Sequence, residues 1–239
     1  MSFIPAIFSF NSYNRDKWVG KEISKIPSGQ SVLDVAAGTC PYKHLFKNHI
    51  YKAQDFVQLA PDQHRGGHGY GDIDYICDAA HIPVPDQSFD VVICTEALEH
   101  VPEPIKIISE IARIVKSRGK IILTAPLGSG LHQEPYHYYG GYTPHWYKHF
   151  LTQYGFSEVN ITSNASSLMH FGQQAYGFIK MTIPWKLQTS YLVKFSWFPL
   201  WSILVIPVGF MIPIVCYFIN GLDQEKKFTV GYFVTAVKN

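Results

Sequence analysis

Glu96, Glu99 and His100 follow directly on the apolar run Val91–Cys94, in the stretch F-D-V-V-I-C-T-E-A-L-E-H. If that stretch is helical, offsets of three and four carry all three side chains on one face. Two carboxylates and an imidazole so placed can hold a divalent cation such as Mg2+ or supply a general base. The alternative is that Glu99 and His100 only order the loop and the start of the next helix. Upstream, Asp55 lies 21 residues after Asp34, near the roughly 20 at which a doubly wound fold places a ribose-binding acid. Taken singly, each of these acids is as well explained as a strand-end turn cap. Asp78 ends a further short apolar run. Beyond Pro126, the stretch L-G-S-G-L-H-Q-E-P-Y-H-Y-Y-G-G-Y-T-P carries His132, Glu134, His137, four tyrosines and glycines 128, 130, 140 and 141. That composition fits a mobile lid with catalytic histidines, or equally a polar surface loop.

The elements that must position these residues are short apolar runs alternating with helical stretches. Strands are expected at Ser31–Ala36, within Ala53–Leu59, at Ile73–Cys77, Phe89–Thr95, Lys120–Ala125 and Ser157–Thr162. One helix opens at Pro104, repeats Ile105, Ile108, Ala112 and Val115, and is expected to run to Gly119. Another is capped by Thr143, has Pro144 in its first turn and stops at Gly155. Such alternation predicts an α/β fold with a mostly parallel sheet covered on both faces. The turn V-A-A-G-T-C-P after the first strand lets backbone approach a ligand closely at Gly38.

Together, LDVAAGTCPY, the acid at Asp55, CDAAHIPVPDQSFDVVICTEALEHVPEP, SRGKIILTAP and the late aromatic loop resemble the class I, type 11 methyltransferases that use S-adenosylmethionine (SAM). The likeness spans Val32–Asn164 and resumes at Phe228–Lys238. It implies a Rossmann-like, mostly parallel seven-stranded sheet with an antiparallel last strand, and an apolar helical insert before that strand. Residues 1–164 and 223–239 would form the SAM-binding domain, and 165–222 the insert. It also implies site roles. Asp34 and the Ala36–Gly38 turn would hold the methionine end of SAM, and Asp55 the ribose hydroxyls. Asp78 and Ala79 would line the adenine, and Thr95 would sit beside the transferable methyl. A similar E-x-x-E-H in quinone-type O-methyltransferases implies bound Mg2+ at Glu96, Glu99 and His100. The chain departs from the family's G-x-G-x-G, with Ala36 and Cys40 at the outer positions. Where relatives have E-P-x-D-x-x-R-x-T, it has His137 for the acid and Gly141 near the arginine. A NAD-binding Rossmann oxidoreductase would use Asp55 in the same way and is the nearest rival. A membrane-tethered binding protein with a vestigial SAM pocket is another.

Between Lys194 and Asp223, 28 residues carry no charge, and about 20 apolar residues suffice to span a bilayer. Pro199, Pro207 and Pro213 are expected to interrupt any helix there. A single crossing would also separate the last strand from its sheet. A re-entrant or interfacial hairpin is therefore expected, flanked by Lys180, Lys186, Lys194, Lys226 and Lys227. The alternative is a buried insert or a dimer interface. A net charge of +2 with no basic stripe leaves nucleic acid without an electrostatic footprint. Four cysteines without a C-x-x-C pair point to free thiols in a reducing compartment. The expected protein is cytoplasmic, peripheral on the inner face of a membrane, and O-methylates a small-molecule or lipid-linked acceptor such as a glycolipid, a lipid-linked sugar or a quinone.

Overall fold

The computed structural model describes residues 3–67 and 69–239, which fall into two compact units. The larger comprises Arg15–Thr162 and Gly231–Asn239. It is built on strands β1 (Ser31–Val35), β2 (Ile50–Asp55), β3 (Tyr75–Ile76), β4 (Phe89–Thr95), β5 (Val115–Pro126), β6 (Phe156–Ser163) and β7 (Gly231–Lys238). They form one sheet in the order β3-β2-β1-β4-β5-β7-β6. The β1–β2, β2–β3, β1–β4 and β4–β5 pairs are parallel, and β7 runs antiparallel to β5.

The continuous apolar runs follow from burial on both faces. Leu33, Val35, Val92, Cys94, Ile121 and Leu123 face one core, shared with helices α3 (Pro104–Ile114) and α4 (Pro144–Gln153). The alternate residues Val32, Val91, Ile93 and Ile122 face a second core with Val19 and Ile23 of α2 (Phe10–Ile23). A period of two splits each strand between the cores.

Helix α3 ends at Ile114, not near Gly119 as its spacing suggested. Val115 instead opens β5 opposite Phe89, and the register shifts before Val91 pairs with Lys120. An apolar residue at a strand's start satisfies the helical period equally well, so spacing alone does not separate the two. Helix α4 begins as expected, with the Thr143 hydroxyl accepting the Trp146 N–H.

The smaller unit comprises, of the described residues, 3–14 and Ser163–Val230. It contains α1 (Phe3–Phe8), α5 (Ser167–Met181), α6 (Tyr191–Leu200) and α7 (Ile206–Ile219). The expected boundary put the N-terminal residues with the sheet. Here Phe8 packs on Tyr176 and Phe210, and Phe10 joins Ala165, Met169 and Val230 in a small core. The prolines do not break the apolar stretch. Tyr191–Leu222 is one continuous helical run, long and apolar enough to cross a membrane. Its ladder absorbs the strain in a π-helical turn at Trp201–Val205, between Pro199 and Pro207. Helix α7 lies antiparallel along α5. A Cβ on Gly172 would come 3.0 Å from Pro213 Cα, and one on Gly209 would come 2.5 Å from Ile179 Cγ1.

Candidate functional site

The strand order reverses at β1 and β4, and a doubly wound sheet binds ligands outside the carboxyl ends of the strands at that point. A cavity of about 760 Å3 opens there. Its lining includes Ala36, Gly38, Asp55, Asp78, Ala79, Thr95, Glu96, Glu99, His100 and His132. Two expected residues are not on its wall. His137 stands behind His132, with ring centroids 4.5 Å apart. Asp34 is buried beneath the turn, where its Oδ2 accepts the Tyr51 hydroxyl at 2.8 Å. Burial pushes the Asp34 carboxyl up to about 7.

The turn after β1 takes its shape from left-handed backbone at Ala36 (φ 53°), Gly38 (φ 54°) and Cys40 (φ 52°). These are the three positions of the G-x-G-x-G pattern that the resemblance implied, and the two without glycine are strained in this chain. The end of β2 clamps the turn. Gln54 Oε1 accepts the Ala36 N–H at 3.2 Å, the Gln54 carbonyl accepts that of Ala37 at 3.0 Å, and Asp55 Oδ2 accepts that of Gly38 at 2.9 Å. The Gln54 amide also donates to the Cys77 carbonyl at 2.6 Å, tying the ends of β1, β2 and β3 together. Asp55 Oδ1 accepts the Val57 N–H at 3.1 Å, and burial raises its carboxyl above the usual range. Asp78 is anchored through Oδ1 by the Ala80 N–H at 2.9 Å.

This wiring bears on the dinucleotide alternative. A pyrophosphate needs free N–H groups at a helix N-terminus. Here the N–H groups of residues 36–38 are already donated, and only a short 3-10 turn at Lys43–Leu45 follows. The turn instead presents a close backbone wall, with the Asp55 carboxyl beside it, to the cavity.

At the other side, Glu96 does not join Glu99 and His100 as a third metal ligand. Its Oε2 is 2.8 Å from Arg15 Nη1, and its Oε1 accepts the Thr124 hydroxyl at 2.8 Å. The stretch 96–100 is not an α-helix but a left-handed residue at Glu96 followed by a 3-10 turn at Leu98–His100. The offsets of three and four therefore fail to stack the side chains. Glu99, His100 and His132 gather instead, their ligating atoms all within 4.8 Å of one another. The expected catalytic histidines do come together, with the His100 ring 4.7 Å from that of His132 and 5.7 Å from that of His137. Burial pushes the His100 imidazole down to about 4 and holds the Glu99 carboxyl well above the carboxylate range.

The loop after β5 is tied across the cavity. The N–H groups of Tyr138 and Tyr139 donate to the Glu99 carbonyl, and the Tyr142 hydroxyl donates to that of Leu98 at 2.6 Å. On the far side the Gln133 amide donates to the Gln63 carbonyl at 2.8 Å, the Gln63 amide donates to the Glu134 carbonyl at 2.9 Å, and the Tyr136 hydroxyl donates to Gln58 Oε1 at 3.1 Å. Sequence reasoning missed Gln54, Arg15 and Gln133. Gln54 stands beside the acid that was found, but a lone glutamine at a strand end carries no pattern of its own.

These features define a doubly wound α/β domain whose ligand cleft lies at the β1/β4 reversal. Residues 33–123 match the family model described as a methyltransferase domain, and the fold is that of the SAM-dependent methyltransferases, as the likeness had implied. A demethylmenaquinone methyltransferase of Renibacterium salmoninarum is 36% identical over 100 residues, 40% of each chain. A ubiquinone biosynthesis O-methyltransferase of Coxiella burnetii is 27% identical over 117 residues, 46% of this chain and 48% of that one. The chain thus spans about half the length or less of the curated relatives it matches. Among solved structures, Haemonchus contortus phosphoethanolamine N-methyltransferase 2 in complex with SAM superposes with a TM-score of 0.53 at 17% identity. That match covers 95% of this chain and 52% of the other.

Proposed function

We propose that the protein transfers a methyl group from SAM to an oxygen of a hydrophobic or lipid-linked acceptor at a membrane surface. The observation that carries this is the arrangement of one cavity. The clamped turn and Asp55 stand on one side of it, and the imidazoles of His100 and His132 stand on the other. Bound SAM would supply an already activated methyl group, so alignment accounts for most of the acceleration. Gly38 and Ala36 would border its methionine end, Asp55 would accept from the ribose hydroxyls, and Asp78 with Ala79 would flank the adenine. Thr95 would lie beside the methyl. Asp34 would act at one remove, holding the turn through Tyr51.

His100 gives its Nδ1 proton to the Tyr136 carbonyl at 2.6 Å, since a carbonyl can only accept. Its Nε2 therefore keeps a lone pair that can take the proton of an acceptor hydroxyl, with His132 and His137 alongside. Magnesium is assigned no step. It demands near-octahedral oxygen ligation, and both Glu96 oxygens are engaged elsewhere.

The names of the relatives, with their quinone acceptors, support an apolar acceptor. The membrane part rests on the helical run Tyr191–Leu222. On α7, Phe210, Met211, Ile214, Val215 and Phe218 are exposed on one side, while Gly209, Pro213 and Cys216 are buried on the other. Apolar area left in water on this scale marks an interaction surface, and the flanking lysines suit anionic headgroups.

Calorimetry with SAM tests the cofactor assignment, with one binding event per chain expected. No heat at millimolar SAM would remove it. Fractionation tests the surface: recovery of intact protein without detergent in the soluble fraction would remove the membrane part and leave methyl transfer standing.

A further inference from the structure

We infer that a second pocket, bordered by Pro102 and the start of α3, holds an apolar tail of the methyl acceptor. The inference rests on the methyl-transfer reading. It narrows the acceptor to a hydroxylated ring that bears a hydrocarbon chain.

The pocket measures about 440 Å3 and lies between the start of α3, the loop after β5 and α4. That is within the roughly 300–1,000 Å3 that small-molecule sites occupy. Pro102, Pro104, Ile105, Tyr139, Tyr142 and Trp146 supply its apolar walls. The Tyr142 ring stands 4.5 Å from that of Trp146 and 5.9 Å from that of Tyr139, so the three form one aromatic surface.

The phenols and charges that border it are answered from within the protein. The Tyr139 hydroxyl donates to the Pro102 carbonyl at 2.9 Å, and the Tyr142 hydroxyl to that of Leu98 at 2.6 Å. Lys106 Nζ pairs with Glu103 Oε2 at 2.8 Å, and both side chains are more than half exposed. A sugar ring brings several hydroxyls that lose water on entry. Each then needs a partner, and these groups are committed elsewhere. A hydrocarbon chain needs no partner and gains by leaving water.

Position ties the pocket to the reaction cavity. Pro102 lines both spaces. It follows His100 by two residues, a reach of at most about 7 Å. Tyr138 borders the cavity and Tyr139 the pocket, and both N–H groups donate to the Glu99 carbonyl. An acceptor whose hydroxyl meets His100 can therefore pass its chain over Pro102 into the pocket.

The test uses the full chain, titrated by calorimetry with para-alkylphenols bearing methyl, butyl and hexyl chains. Each buried methylene is worth about fourfold in affinity. The hexyl compound is therefore expected to bind about 100-fold or more tighter than the methyl compound. Ile105→Trp fills the pocket from a partly exposed position and should hold all three near the methyl compound's affinity. Ile105→Ala thins the same wall and should cut the gain about tenfold, which keeps the test decisive if Ile105→Trp fails to fold. Phe195→Asp, on the exposed face of α6, should keep the full gain. A series with no gain, or a gain that both Ile105 variants leave intact, overturns the inference. So does a gain lost only in Phe195→Asp, or a phenyl glucoside that binds tighter than the hexyl compound. SAM is titrated on the same samples. Absent SAM binding with the chain-length gain intact overturns the methyl-transfer reading and leaves the apolar subsite standing.

Discussion

The Tyr51 hydroxyl donates to Asp34 Oδ2 at 2.8 Å beneath the turn that carries Ala36, Gly38 and Cys40. That single bond does not offset the desolvation of a fully buried carboxylate, so the group holds its proton up to about pH 7. Its folded pKa is raised, so the native state is favoured below the unfolded value near 4 and loses that advantage as pH climbs through about 7. Asp34→Asn keeps an acceptor for Tyr51 and removes the charge. The stability difference between variant and wild type should grow in the variant's favour from pH 4 to pH 8, by about 4 kcal/mol at most. Denaturant unfolding at several pH values checks this, and a difference that stays flat with pH would refute it.

Ala36 and Cys40 hold left-handed backbone that costs an L-residue about 1–2 kcal/mol each. Glycine removes that cost but loses about 0.5–1 kcal/mol more entropy on folding. Ala36→Gly should raise stability by up to about 1 kcal/mol, and Cys40→Gly by less, because the Cys40 side chain is buried against Ala37 and Ala53. A fall in melting temperature for Ala36→Gly would show that its methyl packs usefully. Both variants should bind SAM at least as tightly as wild type.

Asp55 accepts two backbone N–H groups, from Gly38 and Val57, and borders the cavity. Asp55→Asn turns one acceptor into a donor that faces an N–H. SAM affinity should fall by about 10- to 100-fold, the scale of one or two charge-assisted hydrogen bonds. Calorimetry gives the number directly, and an unchanged Kd would sink the ribose assignment.

Tyr191, Phe195, Ile203 and Phe218 are 88%, 86%, 77% and 70% exposed. Phe195→Asp, Ile203→Asp and Phe218→Asp should each weaken binding to anionic phospholipid vesicles by about tenfold or more, the value of one large apolar side chain. Secondary structure and SAM binding should persist. Equal vesicle binding by the triple variant would exclude this helical run as the contact surface.

The α/β alternation, the bounds Phe89–Thr95 and the Thr143 cap were all legible in the sequence. They depend on local periodicity and capping chemistry, which neighbouring residues specify. So was the acid at Asp55, because a strand–turn–strand unit fixes how far along the chain it must fall.

Tertiary structure decided what depends on residues far apart in sequence. Arg15 takes up Glu96, and with it the expected trio becomes Glu99, His100 and His132. Burial removes Asp34 from the cavity wall, although the resemblance implied that it would hold the ligand. A π-helical turn carries the helical run past prolines that ought to have broken it. Local pattern sets which backbone shapes are affordable. Which side chains meet, and which are left without a partner, is set only when separate elements close around one another.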